Sequence, residues 1–351
     1  MATTGVPDAR DIDHSAVLRR AEELVAAGRV VDAVDLLADA DRHGRDPALE
    51  QRLIQLRRDA AADFAAGSGR SPWPPVYDDP WPDVVGALPE VAAAELDLAR
   101  LGGGVAHHGA LVVRGLFGPE QVARSIEVVH RVQSARDRRV DGVEPTLQDA
   151  AWYQPVHTGK PMQEALRQMV AEQGGTWLAD SPAGSAEMLD RLADTGVVDL
   201  IAGHLGERPF FSLQKSTLRR SKPVLKLVAW HQDGSFLDPD VRTMNTWVAL
   251  SHCGGDHPAP GLEVVPRRLP GVLPVDGDLT PHSVAPSLVA EVAADTPTIC
   301  PEFAPGDALL FDERFLHRTH LSASMTEDRY ALECWFFAPS HPSRGYLAFL
   351  V

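Results

Sequence analysis

The sequence predicts a mainly β fold, a jelly-roll barrel braced by helices and preceded by a helical appendage. Three observations predict it. Residues 15–66 repeat their apolar side chains at helical spacing. After residue 208 the chain breaks into about eight short apolar runs separated by Gly, Pro and Asp clusters. Between these two parts the texture is mixed, with one short apolar strand among helical patterns. A chain of 351 residues, 44% of them hydrophobic, has ample material for one large domain with an appendage.

The elements follow in order. Ala21, Leu24 and Val25, then Val31, Ala33, Val34, Leu36 and Leu37, recur on one helical face, and Gly28 marks a turn between two short helices. A third helix is expected over about 47–65, with Leu49, Leu53, Ile54 and Leu56 on one side. The hairpin AEELVAAGRVVDAVDLLADA resembles a single tetratricopeptide-type unit, and about three such units are needed to bury a solenoid core. Residues 1–66 are therefore expected to be an appendage packed on the main domain. A protein contact through residues 15–66 is the alternative. Residues 67–104 begin GSGRSPWPPVYDDPWP and are expected to be a linker or wrap, with Trp73 and Trp81 packing on something.

From residue 105 to 351 a single barrel domain is expected. Leu111-Val112-Val113 reads as a strand, and 118–136, 161–172 and 185–205 read as helices. The candidate strands are 209–214, 224–231, 243–250, 261–265, 297–300, 307–311, 329–337 and 346–350.

Composition excludes some functions. A formal net charge of −16 argues against a nucleic-acid partner, because phosphates call for a basic surface, and against docking on anionic membranes. The three cysteines, Cys253, Cys300 and Cys334, are far apart and read as reduced thiols rather than a disulfide framework. The start, MATTGVPDARDID, has no basic segment followed by an apolar one, and no apolar run reaches the roughly 18 residues of a membrane span. A soluble cytoplasmic protein is expected.

The chemistry is carried by Trp230-His231-Gln232-Asp233-Gly234. In an extended chain residues i and i+2 face the same way, so the imidazole of His231 and the carboxylate of Asp233 can converge on one ion. With a second histidine they would make the facial triad of a non-haem Fe(II) oxygenase. The pattern alone decides little: 14 His and 49 acidic residues give about two chance matches to H-x-[DE]. The downstream segment GDALLFDERFLHRTHL (306–321) adds weight. It opens on a Gly-Asp turn and enters an apolar strand. His317 follows that strand, and Arg329 stands at the start of the next one.

In this order the segments resemble the phytanoyl-CoA dioxygenase family of Fe(II)/2-oxoglutarate oxygenases. That family carries W-H-x-D, a mid-domain stretch like PGLEVVPRRLPG (260–271), G-D…F…H-x-[ST] and a downstream Arg. The resemblance covers roughly 105–351. It implies a double-stranded β-helix (jelly-roll, cupin-like) core, with His231, Asp233 and His317 as iron ligands. It implies 2-oxoglutarate as cosubstrate beside O2, its far carboxylate held by Arg329 and Thr319, with Gln214 and Trp247 close by. The chemistry agrees, since a planar guanidinium grips a carboxylate through two parallel bonds and a hydroxyl can add a third. The sequence departs from the family where Arg267-Arg268-Leu269 replaces the usual Gly-Ser-His.

Competing residues get structural readings. His320, followed by Ser322, is the alternative distal ligand. His252, His257, His107 and His108 read as solvated, and Arg219, Arg220, Arg267 and Arg268 as exposed pairs. A surface ion pair with Glu327 or Asp328 is the plain alternative for Arg329.

The function expected is hydroxylation of a small metabolite (a natural product, an amino-acid-like molecule or an acyl substrate) with release of succinate and CO2. The carboxylate of Asp233 disfavours halogenation, because family halogenases lack it, and leaves desaturation, ring formation and epimerisation as relatives of hydroxylation. Trp152, Tyr153 and Phe236 are the candidate substrate contacts. The alternatives are a protein or peptide hydroxylase docking through the N-terminal helices, and a cupin-like metalloprotein that needs no 2-oxoglutarate.

Overall fold

Asp13 opens the first helix by accepting the Ala16 N–H on its side chain, and three helices follow: α1 (His14–Ala26), α2 (Val30–His43) and α3 (Pro47–Phe64). The turn between the first two uses Gly28 at φ +74°, a left-handed conformation that glycine adopts without a Cβ clash. Ala21, Leu24, Ala33, Val34, Leu37, Leu49, Leu53 and Leu56 close into one apolar cluster. The computed structural model describes residues 13–64, 73–156, 161–224, 229–276, 282–343 and 348–351.

The rest of the chain runs β1 (Glu90–Ala92), α4 (Leu98–Gly103), β2 (Ala110–Arg114), α5 (Pro119–Val140), α6 (Leu147–Trp152), α7 (Pro161–Glu172), β3 (Gly175–Trp177), α8 (Pro182–Asp194) and α9 (Val197–Leu205). Then come β4 (Phe210–Ser212), β5 (Thr217–Ser221), β6 (Thr243–Ala249), β7 (Gly261–Val264), α10 (Pro286–Val292), β8 (Ala308–Phe311), β9 (His317–His320), β10 (Arg329–Phe337) and β11 (Ala348–Leu350). The large sheet is ordered β1-β2-β8-β6-β10-β4-β11, with β5 also on β10 and β3 on β5. Only β1–β2 is parallel among its described pairs. A small sheet, β7–β9, lies apart from it.

Strand alternation builds the two layers. On β10, Leu332, Cys334 and Phe336 join the cluster under α5, α8 and α9. Ala331, Trp335 and Phe337 point the other way and meet Leu262 and Val264 of the small sheet. The two sheets thus face each other across an apolar layer, the double-stranded β-helix expected. Both faces of β10 are buried, which is why it reads as a near-continuous apolar run.

The N-terminal helices rest on this body. α3 lies against β11 and α8. Arg45 bridges Asp41 and Asp190, 2.5 Å from each. Trp73 stacks edge-on to His204 and Trp81 to His108, both half-buried on the helix-side cluster.

Several elements differ from expectation. The pattern over 185–205 is two helices, broken by Gly196 at φ +73°. The run 297–300 contributes a single bridge, Ile299 to Val264. His317 follows β8 as expected but opens a further short strand, β9, that was not among the candidates. β5 was not expected, because Thr217, Arg219 and Ser221 replace the apolar half of the usual alternation. The middle of the candidate strand 224–231, the first residues of 346–350, the start of the 67–104 segment and the N-terminal MATTGVPDARDI lie outside the described residues. The cysteines are free thiols, Cys253 and Cys334 buried. Among the described residues no helix is long and apolar enough to cross a membrane.

Candidate metal centre

The centre is built on a β-bridge between distant parts of the chain. The His231 N–H donates to the His317 carbonyl at 3.0 Å, and the His317 N–H returns to the His231 carbonyl at 3.1 Å. This sets the two imidazoles side by side, ring centres 4.5 Å apart. Gln232 is extended (φ −114°, ψ 137°), so Asp233 comes round to the His231 side before the chain enters a 3-10 turn, Asp233–Phe236. The Gln232 side chain is fully buried and locks this corner. It donates to the Gly271 carbonyl at 3.1 Å and accepts the Leu273 N–H at 2.6 Å. The Gly234 N–H donates to the Glu313 carbonyl at 2.8 Å.

One ligand atom from each of His231, Asp233 and His317 lies within 4.8 Å of the others. Their donors suit a cation. Nδ1 of His231 sits 3.1 Å from the Ala229 carbonyl, and Nδ1 of His317 sits 3.0 Å from the Phe315 carbonyl. A carbonyl only accepts, so each Nδ1 carries the proton and each Nε2 keeps a lone pair for a metal. Oδ2 of Asp233 is buried with no hydrogen-bond partner, 3.9 Å from Nε2 of His317. Burial, and His317 beside it, push His231 down to about 4, so its ring is neutral at neutral pH, as a ligand must be. The donor set, two imidazoles and one carboxylate, fits a divalent transition metal.

Lys215 sits behind the carboxylate, its ammonium 3.5 Å from Oδ1 of Asp233 and 3.7 Å from the ring centre of Phe236. Glu333 lies on the same inner face. Burial alone would raise its carboxyl, but Arg219 and Lys215 hold it down to about 2, with Arg219 2.7 Å away.

Arg329 begins β10 and is only 3% exposed. It donates to the Gly261 carbonyl at 2.9 Å, and more distantly to the Pro260 carbonyl and Ser221 Oγ, both at 3.3 Å. Its Nε is buried without a partner, and among the described residues it makes no ion pair. Asp328 pairs instead with Arg220 at 2.7 Å. Burial lowers the Arg329 pKa. Trp247 lies under the guanidinium, 5.6 Å to the ring centre. Thr319 stands two residues past His317 on β9, opposite Leu262, and so shares the face of His317. Gln214 is buried beside Lys215.

Of the candidate substrate contacts, Phe236 comes to the site, 6.2 Å from the His231 ring. Trp152 and Tyr153 do not. Trp152 packs with the helix-side cluster beneath Arg131, and Tyr153 is buried near Asp180. His320 lies 3.7 Å from Glu263, outside the triad. His252 and His257 stack on each other, His107 meets the Tyr77 carbonyl, and His108 meets Asp79. Arg268 pairs with Asp312, and Arg267 reaches the Val292 carbonyl. Lys215, Asn245 and Glu333 were missed. Period-two alternation places Glu333 on the face of Arg329 and Asn245 on the face of Trp247, and that signal was available.

A family model described as phytanoyl-CoA dioxygenase (PhyH) matches residues 105–326. No curated protein matches. Among solved structures, EctD from S. alaskensis with 2-oxoglutarate and 5-hydroxyectoine is 18% identical, covering 79% of this chain and 85% of that one, TM-score 0.48. AviO1 from Streptomyces viridochromogenes Tue57 is 17% identical, covering 70% and 95%, TM-score 0.44. The epimerase SnoN in complex with Fe3+, alpha ketoglutarate and nogalamycin RO is 17% identical, covering 68% and 83%, TM-score 0.44.

Proposed function

The chain belongs to the phytanoyl-CoA dioxygenase (PhyH) family, and on that footing we propose that it is an Fe(II)- and 2-oxoglutarate-dependent oxygenase that hydroxylates a small molecule. The observation that carries this is a pair of buried charged groups in one barrel, each with an atom that lacks a hydrogen-bond partner. A carboxylate oxygen of Asp233 is buried beside two imidazole lone pairs, and among the described residues the buried Arg329 guanidinium has no acid partner. A buried charged group left incompletely satisfied is costly. A divalent metal answers the first, and the far carboxylate of an oxo acid answers the second.

His231, Asp233 and His317 would hold Fe(II), which supplies the activation of O2 for attack on a C–H bond. The spacing between the two charges supports the cosubstrate. Gly261, whose carbonyl Arg329 holds, and Val264, opposite His317, bracket β7. At about 3.4 Å per residue they are roughly 10 Å apart, the reach of a five-carbon diacid with a contact at each end. Arg329 grips the far carboxylate, Thr319 adds a hydroxyl, and Trp247 walls it. Lys215 steadies the outer oxygen of Asp233. Phe236 stands where a substrate would meet the centre. Residues 105–351 form the catalytic unit in this reading, with 67–104 as its wrap and 1–66 as its appendage.

The test is succinate release under oxygen with Fe(II), 2-oxoglutarate and a panel of small metabolites. Release that depends on both additions, rises with one panel member and vanishes in Asp233→Ala supports the reading. No release under any condition overturns it.

A further inference from the structure

The inner face of the barrel holds one more group without partners. Asn245, on β6, is fully buried, and both Oδ1 and Nδ2 lack a hydrogen-bond partner. Buried amides are almost always satisfied, so one with both ends free borders something absent from the protein itself.

Its surroundings say where. Asn245 stands opposite Trp335 on one neighbouring strand and Phe311 on the other, and it shares the inward face with Trp247 two residues on. Phe311 packs against the His317 ring, 5.1 Å between centres. Trp335 lies beside the Lys215 ammonium, which contacts Asp233. Trp247 lies against Arg329. Along β6, then, Trp247 is at the guanidinium end and Asn245 at the metal end. Of the unanswered buried atoms on this face, Asp233 Oδ2 and Arg329 Nε are already taken up by the metal and the far carboxylate.

We propose that the Asn245 amide binds the oxo acid directly, at its metal-side end. Nδ2 donates to the carboxylate or keto oxygen there, as Arg329 does at the other end. This rests on the oxygenase reading above and adds a second anchor to it.

The experiment is an anaerobic titration of the Fe(II)-loaded protein with 2-oxoglutarate, followed by its visible absorption, in wild type, Asn245→Leu and Asn245→Ala. Fe(II) affinity and the melting temperature of the metal-free protein are measured alongside. Losing a donor to a charged oxygen should weaken 2-oxoglutarate binding about tenfold or more, with Fe(II) affinity unchanged. The metal-free Asn245→Leu protein should melt no lower than wild type, because an unpaired amide has been removed. If Asn245→Leu fails to fold, Asn245→Ala gives the same reading. Wild-type affinity for 2-oxoglutarate in the folded variant overturns the inference alone, the amide then holding a water. Absence of 2-oxoglutarate binding in wild type overturns this inference and the oxygenase reading together.

Discussion

His231 and His317 exchange backbone hydrogen bonds in both directions, at 3.0 and 3.1 Å. The two imidazoles are therefore spaced by a β-bridge made of backbone groups alone. Either ring can be removed while the bridge stays. We expect His231→Ala and His317→Ala to keep the metal-free melting temperature within about 5 °C of wild type, and to lose the stabilisation that Fe(II) or Mn(II) gives the parent. Thermal melts with and without metal check this. A wild-type-like metal shift in either variant counts against the triad.

Arg329 predicts a separation of stability from binding. Its guanidinium is buried without an acid among the described residues, so Arg329→Met should leave the metal-free protein as stable as wild type or more so. The same change should weaken 2-oxoglutarate by roughly 10- to 100-fold, the scale of a charge-assisted bond. Arg329→Lys should recover only part of it, since an ammonium lacks the planar fork. Calorimetry on the three proteins decides, and unchanged affinity in Arg329→Met would show that the carboxylate goes elsewhere.

Glu50, on α3, gives the N-terminal helices a pH dependence. Burial first, and the neighbouring Asp41 second, raise its carboxyl from 4.5 to about 8. The folded state therefore holds a proton that the unfolded chain has released between those values. Its stabilisation is complete below about pH 4.5 and is lost as pH climbs through 8. Melting temperatures taken from pH 5 to 8.5 should fall more steeply in wild type than in Glu50→Gln. Parallel curves would contradict the assignment.

Gly306, ahead of β8, is at φ +96°, and a Cβ there would lie 2.1 Å from the Phe117 carbonyl oxygen. Gly306→Ala should cost at least about 2 kcal/mol, from the left-handed backbone alone. That corresponds to a fall of roughly 4–8 °C in melting temperature. A melting temperature within about 1 °C of wild type would mean the turn relaxes freely.

Much of this was legible because period and punctuation agree. α1 and α2 were visible from their apolar faces and Gly28, and β10 from its near-continuous apolar run, buried on both sides. The triad was legible because His231 and Asp233 flank one extended residue. β5 was hidden, since its inward side chains are the polar Thr217, Arg219 and Ser221. Lys215 and Asn245 were hidden for a related reason. A polar residue in a strand or turn reads as solvent-facing until the partner strands show it enclosed; alternation sets Asn245 on the face of Trp247, but the register across β6, β8 and β10 is what buries that face. Trp152 and Tyr153 stand at the end of α6, and the packing that sets Trp152 on the helix side of the sheet is a long-range fact.

In the proposed reading one barrel binds Fe(II) at His231, Asp233 and His317 and an oxo acid between that metal and Arg329. The most direct measurement is the visible spectrum of the protein with Fe(II), without oxygen, before and after 2-oxoglutarate. We predict a weak absorption band that appears only with both, is lost in His231→Ala, and needs far more 2-oxoglutarate in Arg329→Met. A wild-type spectrum that 2-oxoglutarate leaves unchanged, in protein shown to have bound Fe(II), would contradict it.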